Sequence, residues 1–441
     1  HACFDVRTGE AVGPPALTPI DVWDVSRDGD RVVVAGKRPR PAPSPERHGP
    51  SSVVVVGAGA VGDATAEMLR RSGYREPVTL VARDDEPLPV DRPNLSKDYL
   101  DGTAPEAWVP LRTAEFYADQ RITLLPRVEV LRIDPAAHQI VLGDGRTLDY
   151  GALVLATGAS PIRLDIPGAS LPHVFTLRTE RDAHGIIARL ATAKRAVVLG
   201  SSFIGLEAAA SLRKRGLEVH VVSPARLPLL KVLGPELGGF VKTLHEEKGV
   251  VFHLGRKPAA IHEHAVVLDN GSTLAAELVV MGVGVRPNTA LAEAAGLHVD
   301  RGIVVDEYLR TSAPDVYAAG DVARYPADGG TLRIEHWVLA QRQAQTLARN
   351  LLGARERFRA VPFFWSQHYD VPINYTGHAE PWDAVQVAGS LADRNCLIAY
   401  RSRARIVAVA SIYRDRDCLR AEDALARNDQ PALEQLMRAV Q

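Results

Sequence analysis

Cysteine is nearly absent. There are three in 441 residues (Cys3, Cys396 and Cys418), and none forms a CxxC pair. That is too few for a disulphide scaffold and suits a reducing compartment, so a cytoplasmic location is expected. An excess of charge of either sign is also missing: Lys plus Arg total 52 against 53 for Asp plus Glu, a net charge of −1. Nucleic-acid binders carry a basic excess and membrane-surface proteins a polybasic patch, so neither kind of partner is expected. No uncharged apolar run approaches the roughly 20 residues of a spanning helix. The chain opens His1-Ala2-Cys3-Phe4-Asp5, with no Met and no apolar leader, and is expected to be a piece of something longer. What remains is ordinary globular composition, 46% hydrophobic and 24% charged. The length suits about three domains.

Residues 1–38 read as short strands and turns, with strands near 7–10, 20–23 and 31–34. A Pro-rich linker, 39–50, follows, with Pro39, Pro41, Pro43 and Pro45 at alternate positions. From residue 51 the pattern becomes strand, glycine turn, helix, strand, which signals an α/β doubly wound arrangement. The expected architecture is two Rossmann-like dinucleotide-binding domains, a C-terminal α+β domain and a small β remnant at the N-terminus. The first nucleotide domain is discontinuous, 51–165 and 285–357; the second is 166–284. Residues 358–441 alternate apolar and polar positions as an antiparallel sheet would, ending in helices near 421–427 and 431–439.

The two nucleotide units are an internal repeat. Gly57, Gly62 and Gly73 recur as Gly200, Gly205 and Gly216, each 143 residues on (200 − 57, 205 − 62, 216 − 73). The first copy is GxGxxG after Val53-Val54-Val55-Val56. Gly57 permits the tight turn, Gly59 lets backbone approach a pyrophosphate, and Gly62 lets helix pack on strand. The helix N-terminus then offers free N–H groups to the phosphates. Asp84 lies 22 residues beyond Gly62, where an acid holding a ribose is expected. In the second copy Ser202 replaces the middle glycine, and no carboxylate stands near Ser223. Arg226 is a candidate for a 2′-phosphate, with a solvated loop arginine equally open, so the coenzyme is read as NAD(P)H. Two units suggest two dinucleotides: a flavin and its electron source.

Further motifs carry a resemblance. Leu153-Val154-Leu155-Ala156-Thr157-Gly158, Gly282-Val283-Gly284-Val285-Arg286-Pro287-Asn288 and Val316-Tyr317-Ala318-Ala319-Gly320-Asp321 join the glycine turns. The set resembles the FAD-dependent pyridine-nucleotide oxidoreductases. Asp91-Arg92-Pro93-Asn94-Leu95-Ser96-Lys97, Phe203-Ile204-Gly205-Leu206-Glu207 and Phe364-Trp365-Ser366 narrow it to the putidaredoxin-reductase-like and apoptosis-inducing-factor-like branch, over residues from about 50 to 415. Residues 2–10 resemble the tail of a Rieske domain, just past its ligand loop. That resemblance places both ligand pairs before His1, so no [2Fe–2S] cluster is expected unless upstream residues supply it.

The resemblance implies FAD on the first turn, with Gly57, Gly59 and Gly62 at its pyrophosphate and Asp84 at the adenosine ribose. It implies Val130, on a strand with Val128, at the adenine, and Thr157, Gly158 and Arg178 bordering the cofactor. Asp321 would meet the ribityl chain and Trp337 the isoalloxazine. It puts NAD(P)H at Gly200, Ser202, Phe203 and Gly205. Lys97 and Glu207 would form the catalytic pair beside the flavin N5, and Trp365 would line the flavin face. The implied activity is hydride transfer from NAD(P)H to FAD, then single-electron transfer to a ferredoxin or Rieske-type partner. A redox-responsive binding flavoprotein with slow oxidase or diaphorase turnover is the alternative, and a homodimer stays open. The stretch 82–99 has no Cys, so electrons are not expected to reach a dithiol there. His262 and His264 have metal-pair spacing but sit in what reads as one alternating strand, 259–268, and no metal site is expected. Arg401, Arg403 and Arg405 read as solvated hairpin charges, with a patch for an acidic ferredoxin also open.

Overall fold

A computed structural model describes residues 2–39, 45–327 and 329–440. His1 and linker residues 40–44 lie outside that set. The chain forms two compact units, one of 1–82, 111–156 and 290–360, the other of 83–110, 157–289 and 361–441.

The first unit is built on a parallel five-stranded sheet, in the order Val316–Ala318, Ala152–Leu155, Val53–Val56, Val78–Val81 and Ile122–Leu125. Val53–Val56 and Ala152–Leu155 are buried at every position, as continuous apolar runs in a two-faced parallel sheet should be. The helices Ala60–Arg71 and Trp337–Leu351 pack on each other. The N-terminal strands form separate two-stranded pieces. The hairpin Trp23–Asp28 with Arg31–Lys37 is exposed along its whole length. Residues 7–10, expected as strand, instead turn between the paired strands Cys3–Phe4 and Ala11–Gly13. The Asp5 carboxylate accepts from the N–H groups of Arg7 (2.8 Å) and Thr8 (3.0 Å), and Gly9 has φ +76°; both favour a turn over a ladder.

The second unit has its own parallel sheet, in the order Val174–Phe175, Leu278–Met281, Arg195–Leu199, Glu218–Ser223 and Val250–Leu254. An antiparallel sheet follows, in the order Phe363–His368, Val371–Gly377, Arg405–Ile412, Asn395–Ser402 and Ala384–Ser390. One face of it carries the helices Asp415–Ala426 and Gln430–Arg438 through Ala421, Ala424, Leu433 and Met437. The first of these starts at Asp415 rather than near 421, because Cys418 extends the apolar stripe of Ala421 and Ala424 back one turn and Asp415 and Asp417 suit a helix N-terminus. A single core joins the helix Phe203–Lys214 to the strands beside it, from Leu206 and Ala210 to Phe364, Ile373 and Ile398. The expected strand 259–268 is two strands, Pro258–His262 and Ala265–Leu268, paired with His262 opposite Ala265. Glu263 and His264 are the turn between them, and both histidines are exposed, as loop tips are. The α/β class with two parallel nucleotide-type sheets and a C-terminal antiparallel sheet is thus as the sequence suggests.

Candidate functional site

In the first unit the glycine turn leaves no room for side chains. Gly57 has φ +114°, and a Cβ there would stand 2.2 Å from the Ala156 carbonyl oxygen. A Cβ on Gly62 would stand 2.2 Å from the Gly57 oxygen. Gly59 is the N-cap of the helix Ala60–Arg71 and supplies no side-chain cap, so the first-turn N–H groups remain open to an anion. Gly320 comes against this helix, its absent Cβ 2.7 Å from Val61, and its N–H donates to Gln343 at 2.6 Å. Asp321 follows in the short turn Gly320–Val322, where its carbonyl accepts from Arg333 at 3.0 Å. Trp337 begins the helix packed on Ala60–Arg71. Val130 is buried at the start of the strand Val130–Asp134; Val128 lies outside it, its N–H donating to the Ala82 carbonyl at 2.9 Å.

The second unit repeats the turn with one change. Gly200 has φ +105°, with the Gly282 oxygen 2.3 Å from an added Cβ, and a Cβ on Gly205 would meet the Gly200 oxygen at 2.5 Å. Ser202 accepts from the Gly205 N–H at 3.3 Å and donates to the Gly282 carbonyl at 2.8 Å. The serine therefore caps its own helix, whereas the glycine of the first copy leaves that end bare. Ser223 ends the next strand and accepts from Ser201 at 2.8 Å; no carboxylate stands at that strand end, and Arg226 beyond it is exposed. Asp84 belongs to this unit and accepts from Arg92 at 2.7 Å. The Thr157 hydroxyl donates to the Asn288 carbonyl at 2.8 Å, and Asn288 returns an N–H to Thr157 at 2.8 Å, joining two of the quoted motifs. Gly158, at φ +64°, has the Arg178 guanidinium 3.2 Å from the place of a Cβ.

Lys97 and Glu207 meet, although 110 residues separate them. Lys97 Nζ donates to Glu207 Oε2 at 2.9 Å. The lysine side chain is 12% exposed and the glutamate 2%, so this is no surface pair. Ser96 Oγ also donates to Oε2, at 2.6 Å, and Ser366 Oγ to Oε1, at 2.6 Å. Both serines lie in quoted motifs, but their attachment to Glu207 was not legible in the sequence. Lys97 Nζ stands 5.8 Å from the centre of the Trp365 ring. Phe203 sets its edge on Phe364 at 4.8 Å, which stacks on Tyr375 at 5.0 Å. Asp91, capping the short helix Arg92–Leu95, is pushed up to about 6 by burial, against the opposing pull of Lys97. The cysteines form no pair; Cys396 and Cys418 are buried, their thiols pushed up to about 11 and about 12 by desolvation.

Two turns with Rossmann geometry, each on its own parallel sheet, and a buried carboxylate on the second turn's helix that grips Lys97 are the geometry of an α/β dinucleotide-type oxidoreductase. The pyridine nucleotide-disulphide oxidoreductase family model matches residues 51–344 and a reductase C-terminal model residues 363–440. The chain is 39% identical to rhodocoxin reductase of Rhodococcus erythropolis, over 85% of its own length and 89% of the relative's. It is 31% identical to apoptosis-inducing factor 3 of Homo sapiens, over 96% of its length and 73% of the relative's. The covalent putidaredoxin reductase–putidaredoxin complex superposes with a TM-score of 0.84 at 34% identity, covering 89% of this chain and 99% of that one. The chain belongs to the pyridine nucleotide-disulphide oxidoreductase family.

Proposed function

We propose that this chain binds FAD through the first glycine turn, takes hydride from NAD(P)H bound through the second, and passes electrons singly to an iron–sulfur partner, a ferredoxin or Rieske-type protein or domain. Bound flavin supplies the acceptance of two electrons and their release one at a time. The chain's own residues position and polarise. The uncapped N-terminus of Ala60–Arg71 would receive the FAD pyrophosphate, with Gly57 making the tight turn, Gly59 allowing close approach and Gly62 letting helix pack on strand. Val130, Asp321, Trp337, Asp84, Thr157, Gly158 and Arg178 are the further FAD residues that the family resemblance implies. Gly200, Ser202 and Gly205 take the coenzyme, Phe203 shields the flavin until nicotinamide arrives, and Arg226 takes the 2′-phosphate of NADPH. Lys97 supplies a fixed positive charge.

The observation that supports this best is one helix with two tasks. Phe203–Lys214 opens at the second glycine turn, and Glu207, one turn in, grips Lys97. A coenzyme seated on that helix and a cation held by it are thereby placed by one rigid element, which suits a reaction that is a positioning task. One relative is a rhodocoxin reductase, and the putidaredoxin reductase that superposes was solved in covalent complex with putidaredoxin. The stretch 82–99 holds no Cys, so electrons are not expected to reach a dithiol there, which favours a one-electron acceptor.

The apoptosis-inducing factor 3 match reaches 96% of the chain, which keeps a redox-responsive binding flavoprotein as the second reading; residues 1–38 are read as the tail of a Rieske domain on their own resemblance. A [2Fe–2S] cluster belongs to this picture only with ligands from upstream residues. Cysteine usage favours the cytoplasm, and among the described residues no helix is long and apolar enough to cross a membrane. Rapid mixing tests the proposal: flavin reduction by NAD(P)H, then reoxidation by a ferredoxin or Rieske protein, should both be fast, and Lys97→Ala should slow the first. A lasting charge-transfer band with slow reoxidation by every iron–sulfur acceptor would transfer support to the second reading.

A further inference from the structure

Behind Glu207 lies a row of polar side chains that nucleotide binding does not use. Ser366, His368 and His245 are fully buried. Ser366 Oγ is 2.6 Å from Glu207 Oε1 and 3.2 Å from His368 Nε2. His368 Nδ1 is 3.1 Å from His245 Nε2, and His245 Nδ1 is buried without a hydrogen-bond partner. Apolar side chains would fill the same space without any desolvation cost, so the row calls for a use.

Each contact needs one donor, and with both rings neutral only two arrangements are self-consistent. In the first, Ser366 donates to Glu207, His368 donates from Nε2 to Ser366, and His245 donates from Nε2 to His368 Nδ1. The row then ends on a bare acceptor, His245 Nδ1. In the second every bond is reversed: Glu207 must supply a proton, and the row ends on a buried N–H with nothing to accept it. Three observations choose the first. Glu207 also accepts from the Lys97 ammonium and from Ser96, which favours the carboxylate. A buried orphan N–H is rarer than an under-used acceptor. Both rings are held neutral: burial, helped by the Lys97 charge, lowers His368 to about 3, and burial, helped by His368, takes His245 well below its ordinary value. Apolar and aromatic walls close the far end, with Phe252 and Tyr369 rings 6.1 and 5.2 Å from His245 and Lys248 Nζ beyond, 5.9 Å over the Tyr369 ring.

We propose that His368, backed by His245, is a positioning residue for the Lys97–Glu207 pair: two neutral imidazoles direct their Nε2 hydrogens toward Glu207, leave the Ser366 hydroxyl a single acceptor, and hold the carboxylate where it grips Lys97. With that donor in place the Ser366 hydroxyl cannot rotate away, and Glu207 keeps a donor on each oxygen. The effect on flavin reduction rests on the role of Lys97 proposed above; the polarity of the row does not.

Two measurements test it on the flavin-loaded protein. Long-range proton–nitrogen spectra of histidine-labelled protein, assigned with His368→Gln and His245→Gln, should show both wild-type rings as neutral Nε2–H tautomers from about pH 6 to about pH 8. A protonated ring or an Nδ1–H tautomer at either position would overturn the proposal. In the second, His368→Gln places an amide N–H near the imidazole Nε2 and should keep the wild-type rate of flavin reduction. His368→Leu removes the donor and should slow it about tenfold, the size of one hydrogen bond in a charged network, with coenzyme KM unchanged. Equal behaviour of the two variants would also overturn it. If His368→Leu does not fold, the spectra and His368→Gln still decide. If Lys97→Ala leaves flavin reduction unchanged while the tautomers are as stated, the catalytic role of Lys97 fails and the polarity of the row stands.

Discussion

Replacing Lys97 by Met and Glu207 by Gln, singly and together, tests whether their pair is a buried working contact or an incidental one. Glu207 is 2% exposed and takes three donors, from Ser96, Lys97 and Ser366. Lys97→Met leaves that carboxylate buried with only hydroxyl donors, and should cost about 3–5 kcal/mol, the range for removing one partner of a buried pair. Glu207→Gln leaves an ammonium that is 12% exposed and still donates to the Pro93 carbonyl at 3.1 Å. It should cost less, about 2–3 kcal/mol. In the double variant no charge is left buried alone, so the summed single costs should exceed the double by about 2 kcal/mol. A chain with two units need not unfold in one step, so a global midpoint is the wrong measure. Hydrogen exchange of peptides covering Phe203–Lys214 reports the local opening free energy instead. Single costs below about 1 kcal/mol would make the contact equivalent to a surface ion pair, and additivity within about 0.5 kcal/mol would deny the coupling; either refutes the reasoning.

Gly57→Ala puts a Cβ 2.2 Å from the Ala156 carbonyl at φ +114°, so the first turn must open. Flavin-stripped protein titrated with FAD should show at least about tenfold weaker binding, and unchanged affinity would remove the close-approach role. NADPH should be usable, and Arg226→Ala should lower kcat/KM for NADPH more than for NADH; a strong NADH preference that the substitution leaves unchanged would reject the phosphate contact. Glu277 is held down at about 2, chiefly by its Arg195 hydrogen bond, with further N–H donors from Arg195 and Lys194 offsetting burial. A depressed carboxyl stabilises the folded state above its ordinary value, and that stability is lost as pH falls toward 2. Glu277→Gln should therefore destabilise the second unit by about 1 kcal/mol at neutral pH, after allowance for solvent screening, with the difference shrinking below about pH 4.5. A pH-independent difference in urea titrations would show that the carboxylate charge is not the cause.

Local features were the legible ones. Both glycine turns could be read because a positive φ and a backbone–backbone approach demand glycine at fixed spacing, and the Cβ distances at Gly57 and Gly200 differ by only 0.1 Å (2.2 and 2.3 Å). Where alternation alone was the guide, it failed in instructive places. Residues 259–268 alternate as one strand would, but a strand and its hairpin partner alternate alike, and the two-residue turn at Glu263-His264 carries no glycine to announce itself. Ser202 could be weighed only as a tight fit in place of glycine. Its cap on Gly205 is a local contact, but its bond to the Gly282 carbonyl depends on the end of a strand 80 residues away. One signal went unused: Ser366 and His368 are two apart on the strand Phe363–His368 and so share a face.

The amino-acid order alone settled the class of the protein, its duplicated nucleotide unit and the residue types at each turn, because those follow from backbone sterics and hydrophobic period over a few residues. Tertiary structure alone decided what surrounds Glu207. Its three donors stand 110, 111 and 159 residues from it, and the histidine contact behind Ser366 joins residues 123 apart. Hydrogen-bond geometry between side chains is set by how helix Phe203–Lys214 and strand Phe363–His368 pack, and packing distance leaves no trace in sequence spacing.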